Sequence, residues 1–345
     1  MPKIWSDFSG RLGGSSRAIL ALALLGGAAA VALEAWWVLV PTPALRAGPR
    51  VVEITLNQGP LEIAERLQAA GVIRSRLAFT MLATLRGTAR SLKAGEYEIP
   101  RDANTVRILA LLEKGKVRTR RIVFPEGGTV RDLARLLEVE GLARVEEIER
   151  LARDPALLWA LRIGAPSLEG YLFPDTYYFF KGLPAENMLA QMTLRLREEV
   201  TPDLLAQAER KGLTLHELLT LASIVEREAV LSRELPVISA VFWNRIKRGM
   251  PLQADPTVQY AVNKEWGALT RADLRVDSPF NTYRYTGLPP GPIASPGKAA
   301  ILAVLNPAKV KYLYFVSMDG RRHFFSRTLK EHNAAVSRYR LARAR

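Results

Sequence analysis

Between Arg17 and Pro41 the chain runs AILALALLGGAAAVALEAWWVLV, twenty-three residues from Ala18 to Val40 with Glu34 as the one charge. At 1.5 Å per residue such a helix crosses a hydrocarbon core of about 30 Å. Length and the near absence of charge therefore predict a single transmembrane helix. Trp36 and Trp37 stand where an aromatic belt belongs. The stretch is longer than the apolar core of a cleaved signal peptide, and no small-residue cleavage site follows it. Lys3, Arg11 and Arg17 precede it, against Arg46 and Arg50 after it, which favours the N-terminus inside and about 300 residues outside. The expected organisation is a cytoplasmic tail (1–17), the span (18–40), a Pro-containing linker (41–50) and an extracytoplasmic ectodomain.

The ectodomain begins with a pattern that occurs twice. VVEITLNQGPLEIAERLQAAGVI (Val51–Ile73) reads as an alternating strand, a turn and a helix with an apolar stripe. RRIVFPEGGTVRDLARLLEVEGL (Arg120–Leu142) repeats it with a two-residue difference in spacing. Ile54 then matches Ile122, Gly59 matches Gly127, Ala64 matches Ala134 and Gly71 matches Gly141. AGEYEIP (Ala94–Pro100) predicts another strand and TVRILALLEKG (Thr105–Gly115) another helix. From about Val145 the chain reads as mostly helical, with a Thr-x-x-Glu capping box at Thr214 opening the longest helix. A second amphipathic helix follows over Leu235–Gly249. Next comes a polar, Pro-rich region whose four prolines between Leu288 and Gly297 predict a stiff loop. KYLYFVSMDGRRHFFS (Lys311–Ser326) predicts a hairpin turning at Asp319-Gly320. The fold class is therefore α+β.

The chain has no cysteine, which excludes disulfides, thiolate metal sites and cysteine nucleophiles. Its net charge of +15 favours an acidic partner such as an anionic polymer or lipid surface. Residues 307–345 hold ten cations against two carboxylates, about half of that excess. His216, His323 and His332 have no metal-binding spacing. The Ser-x-x-Lys letters at Ser295–Lys298 enclose Pro296-Gly297, which opposes the helical turn that motif needs, and no Lys-Thr-Gly accompanies them. The same segment fails as a phosphate loop, because Gly291 and Gly297 enclose five residues and Ala299 stands where Ser or Thr would bind magnesium. No nucleic-acid module is recognisable, and neither cofactor nor metal is expected.

The carboxylate that stands out is Glu226, in LASIVEREAV (Leu221–Val230). Its helical neighbours at three and four residues are Ala222, Ser223, Ala229 and Val230, small or apolar and never a cation. A carboxyl beside apolar surface has a raised pKa, as a general acid requires. Glu228 competes with it but has bulkier neighbours, and periodicity alone separates the two weakly. A structural or surface carboxylate stays open for both.

Several long stretches resemble the endolytic murein transglycosylases, the MltG or YceG-like family, over nearly the whole chain. They are LEGYLFPDTY (Leu168–Tyr177), LASIVEREA (Leu221–Ala229), VFWNRIKRGMPLQADPTVQYA (Val241–Ala261), SPFNTYRYTGLPPGPIASPG (Ser278–Gly297) and FSRTLKEHN (Phe325–Asn333). Tyr171 and Ser295 depart from the expected tryptophan and asparagine. The resemblance implies a LysM-like βααβ module over 51–118 and a mostly helical catalytic domain with a small β-hairpin over 119–345. It places the catalytic glutamate on Glu226 and glycan contacts on Gln253, Asp255, Asn281 and Tyr283, with Glu169 structural and Gly287–Gly297 a rigid wall. The implied reaction cuts the MurNAc–GlcNAc β-1,4 bond of nascent strands, with the MurNAc C6 hydroxyl closing a 1,6-anhydro ring. The substrate then supplies the nucleophile that ordinary glycosidases draw from a second carboxylate. The implied setting is the bacterial inner membrane, with peptidoglycan strands and cell-wall synthases as partners. Two rival readings are a hydrolytic muramidase using Asp255 or Glu228 as its second carboxylate, and a non-enzymatic peptidoglycan-binding scaffold.

Overall fold

The computed structural model describes residues 14–264 and 267–343, so most of the expected cytoplasmic tail lies outside the described residues. The chain divides into two compact units: residues up to Thr119 with Phe180–Gly182, and Arg120–Phe179 with Leu183 onward.

The first unit opens with α1 (Gly14–Leu39), among the described residues the one helix long and apolar enough to cross a membrane. The stretch expected to be a linker is structured. It holds α2 (Pro43–Ala47), started by Thr42, whose hydroxyl accepts the Leu45 amide, and Leu45 is wholly buried. Strand β1 (Arg50–Ile54) pairs antiparallel with β2 (Gly95–Ile99), Val52 opposite Tyr97, and α3 (Pro60–Ala69) and α4 (Arg76–Leu85) lie between them in sequence. This is a βααβ arrangement. Helix α5 (Thr105–Lys114) starts on an Asn104 cap and ends on left-handed Gly115, and its Ile108, Leu109 and Leu112 join Ile63, Leu67 and Phe79 in the core.

The second unit restarts the strand–turn–helix pattern with β3 (Thr119–Val123) and α6 (Val130–Val139). The predicted repeat is thus present in both units, and Gly71 and Gly141 both take the left-handed conformation just past their helices. The turn differs: Pro60 begins α3 directly after Gly59, whereas Gly127 and Gly128 precede the Thr129 cap of α6. Short helices α7 (Val145–Leu151) and α8 (Pro155–Ala160) lead to β4 (Thr176–Phe180), which pairs with β3. Then come α9 (Ala185–Glu199), α10 (Pro202–Arg210) and α11 (Leu215–Glu228).

Helix α11 begins at the expected capping box, where Thr214 and Glu217 satisfy each other's backbone amides. Every residue from Leu218 to Val225 is buried, so α11 is the central rod of the unit rather than an amphipathic cover. Packed against it are α10, α12 (Leu235–Lys247), α13 (Asp255–Ala261) and α14 (Lys298–Leu305). The predicted hairpin forms as β5 (Tyr314–Ser317) and β6 (His323–Ser326), where the Asp319 carboxylate accepts the amides of Arg321 and Arg322 across the turn. Helix α15 (Leu329–Arg343) closes the described chain.

Candidate active site

Glu226 stands in the last turn of α11 and is half-buried. Two of the neighbours assigned to it from helical spacing are corrected: Ala229 is already extended, so the helix ends before the i+3 and i+4 positions exist. The small residues on the preceding turn have a different use. They leave room for the Pro-rich loop to lie directly on the helix. The buried Ser223 hydroxyl accepts the Ile293 amide at 3.1 Å, and the Gly297 amide donates to Glu226 Oε2 at 2.9 Å.

A third segment completes the wall. The Gly127 amide bonds the Ser295 carbonyl and the Ser295 amide bonds the Gly128 carbonyl, both at 2.8 Å, while Arg227 Nη1 donates to the Gly127 carbonyl at 3.1 Å. Gly127 has φ +74°, and Gly297 has no space for a side chain: a Cβ there would lie 1.9 Å from Glu126 Oε1. The carboxyls of Glu126 and Glu226 therefore converge on one glycine. Burial pushes the Glu226 pKa up, the Gly297 amide pulls it down, and the charge of Glu126 pushes it up again, leaving it raised overall. The result is a carboxyl that holds its proton at higher pH than a solvated glutamate. It also has a like-charged neighbour of a kind that the helical spacing of Glu226 does not reveal.

The loop behind this carboxyl is held by contacts on two sides. His216 joins the Tyr171 hydroxyl (2.9 Å) to the Pro290 carbonyl (2.7 Å) through its two ring nitrogens. Gly170, at φ +80°, lets the Leu168–Tyr171 turn lie on Pro292, where a Cβ would come within 2.3 Å of the ring. Among the described residues no group of three or more His, Asp or Glu is arranged to hold a metal ion.

The remaining candidates form a second group. Asp255 begins α13 and accepts the Tyr283 hydroxyl at 2.5 Å. Gln253, at φ +52°, accepts Arg245 Nη1 through its side chain at 3.2 Å. Arg245 is buried and also donates to the carbonyls of Leu252 and Leu313, both at 2.7 Å. Glu228 belongs here, two residues along the helix from Glu226. Burial and the Asp255 charge raise its pKa to about 8 against the opposing effects of Arg245 and the Asp255 amide. Asn281 is wholly buried, and its amide is spent on the Leu274 and Val276 carbonyls (3.1 and 2.9 Å) and the Tyr283 amide (3.0 Å). It holds the 274–283 loop in shape rather than presenting a polar group to solvent. Among the described residues no hydrogen bond joins this group to Glu226.

Glu169 is 8% exposed, accepts the Val130 amide at 3.1 Å, and lines a cleft of about 270 Å³. Glu126 was the site residue that sequence reasoning passed over. Its only signal was its place in the turn of a repeated unit whose first copy has Gln58 before the matched glycine.

The second unit is a helical body around one buried rod, with a proton-retaining carboxyl at the rod's end enclosed by two pinned loops. The chain belongs to the YceG-like family, whose sequence profile matches residues 52–338. It is 32% identical over 292 residues to the endolytic murein transglycosylase of Bacillus subtilis (strain 168), covering 80% of this chain and 81% of that one. To the endolytic murein transglycosylase of Streptococcus pneumoniae (strain D39) it is 31% identical over 310 residues, covering 81% of this chain and 56% of that longer protein. A crystal structure of a YceG-like protein from Listeria monocytogenes superposes with a TM-score of 0.58 at 32% identity, over 83% of this chain and 98% of the other.

Proposed function

We propose that this protein is an endolytic murein transglycosylase that cuts nascent peptidoglycan strands internally. The observation that carries the reading is Glu226: a half-buried carboxyl with a raised pKa, held by the Gly297 amide at 2.9 Å. In its protonated form it is a general acid for the glycosidic oxygen between MurNAc and GlcNAc. As that bond breaks, the MurNAc C6 hydroxyl attacks C1, and the resulting carboxylate takes the hydroxyl proton. The products are a GlcNAc hydroxyl end and a 1,6-anhydroMurNAc end. Intramolecular attack benefits from proximity, which reduces what the protein must supply.

Membrane anchoring rests on α1, and an inner-membrane, N-terminus-inside topology on the flanking cations. The βααβ arrangement of the first unit supports a LysM-like role in holding glycan, and cell-wall synthases are natural partners for an enzyme that limits strand length. Gln253, Asp255 and Tyr283 remain candidates for glycan contact, with Asn281 supporting their loop.

The convergence of Glu126 with Glu226 favours one alternative, a hydrolase using both carboxyls. Mass spectrometry of products from uncrosslinked strands separates the two. Internal fragments ending in 1,6-anhydroMurNAc, lost in Glu226→Gln, are expected. Reducing MurNAc ends would make the protein a hydrolase.

A further inference from the structure

A cleft of about 270 Å³ opens beside the buried Glu169. It is lined by the buried Glu169 carboxyl, whose Oε2 has, among the described residues, a single long hydrogen-bond contact of 3.5 Å from the Tyr260 hydroxyl. Its walls include the apolar surfaces of Ala152, Pro256, Phe280 and Ile293. Its lining holds four cations, Arg131, Arg153, Arg227 and Lys264, against the carboxyls of Glu149 and Glu169. The four cations outnumber the two carboxyls, so the lining is net positive, and burial raises the Glu169 pKa to about 7. Arg131 is engaged by Glu149 (3.1 Å) and Lys264 by Asp273 (3.0 Å). The exposed Arg153 guanidinium makes no hydrogen bond or ion pair among the described residues; its charge acts at longer range on Glu169 and Tyr260, which leaves its donors open to an anionic group.

The cleft adjoins the reacting carboxyl. Arg227, which lines the cleft, follows Glu226 in the chain, and Gly127 lies beside both: a Cβ on it would meet Arg227 Cδ at 3.4 Å and Glu226 Cγ at 3.8 Å. Substrate chemistry gives this adjacency a meaning. The MurNAc whose C1 reacts carries its peptide through a lactyl ether on C3, two ring carbons away. With about 3.5 Å per extended residue, the first peptide residues lie within about 10 Å of the bond being broken. Those residues bring an alanine methyl and a free carboxylate.

We propose that this cleft seats the peptide borne by the MurNAc at the scissile bond, with Arg153 taking a peptide carboxylate and Phe280 and Ile293 the alanine methyl. The enzyme then reads peptide-bearing strands through contacts separate from those that break the sugar bond. This rests on the transglycosylase reading above.

The test uses the full chain in mild detergent on two uncrosslinked substrates: peptide-bearing strands, and the same strands stripped of peptide by an amidase. Arg153→Ala is expected to raise KM about tenfold on peptide-bearing strands, the factor of a single charge-assisted hydrogen bond, with kcat unchanged. KM on stripped strands should stay the same, and Arg153→Lys should recover part of the loss. An equal effect on both substrates would make the cleft a glycan groove, and no effect on either would make Arg153 a solvated charge; both overturn the proposal. Binding of the free tetrapeptide L-Ala-γ-D-Glu-L-Lys-D-Ala, followed by NMR, separates this idea from the reaction. Peptide bound and lost in Arg153→Ala, without strand cleavage by wild type, would sink the enzyme reading alone. Cleavage without peptide binding would sink the peptide site alone.

Discussion

Glu228→Gln tests whether the group around Arg245 holds a neutral carboxyl. Glu228 has a pKa of about 8 in the folded protein against an ordinary 4.5, because burial and the Asp255 charge together outweigh Arg245. A raised carboxyl pKa means that the folded state keeps a proton the unfolded chain releases. Its full stability is present below the unfolded value and declines as pH rises through the folded one. Integrating between these two values gives a cost of about 3 kcal/mol at pH 7 and about 5 kcal/mol by pH 9. The glutamine is nearly isosteric, stays neutral at every pH, and its side-chain oxygen can still accept the Asp255 amide. The folded pKa already counts the attraction of Arg245, so the variant is expected to gain at most about 4 kcal/mol at pH 8, shrinking below about 1 kcal/mol near pH 5. Thermal unfolding of both proteins in mild detergent at pH 5, 7 and 9 measures this. A variant less stable than wild type at pH 9, or one that loses stability with pH just as steeply, would show that Glu228 is ionised and that its pairing with Arg245 dominates.

Other expectations follow from the same geometry. Glu126→Gln removes a like charge from beside Glu226 and lowers its pKa, so the alkaline limb of the kcat/KM profile moves to lower pH; an unmoved limb would show that the two carboxyls are not coupled. Gly297→Ala would place a methyl 1.9 Å from Glu126 Oε1, pushing the loop and its amide off Glu226, and about a tenfold or greater loss of kcat is expected in a folded protein. Gly170→Ala meets both an unfavourable φ of +80° and the Pro292 ring, and should lower unfolding stability by about 2–4 kcal/mol; a change below 0.5 kcal/mol (about the scatter of surface substitutions) would show that this turn relaxes freely.

Local chemistry made much of the fold legible. The Thr214 capping box, the Gly115 stop after α5, the Asp319-Gly320 turn and the repeated strand–turn–helix unit are signals within about twenty residues, and each element formed where its signal lay. Leu45 was not legible, because one leucine in a Pro-flanked stretch looks like linker until a core from elsewhere closes over it. The surroundings of Glu226 were half legible. Helical spacing found the small residues around it, but not that a loop seventy residues away uses the space. Glu126 was hidden for the same reason: alone it is an exposed carboxylate in a glycine turn, and its meaning comes from Gly297. Resemblance names Asn281 for glycan contact, and only the structure shows its amide bonded to backbone on both sides.

The stitching of three distant segments at Glu226 also sets the order in which the protein becomes competent. Arg227 reaches back 100 residues to Gly127, and Gly297 reaches Glu226 across 71. During synthesis the chain delivers the Glu126 turn first, the helix bearing Glu226 next and the proline loop last. Contacts of such long sequence separation form late, after loop-closure entropy has been overcome. Until the proline loop arrives, Glu226 lacks the Gly297 amide and the cover of that loop. On the role proposed for Glu226, an unfinished chain has no general acid in place, and the capacity to cut glycan waits on completion of the domain itself.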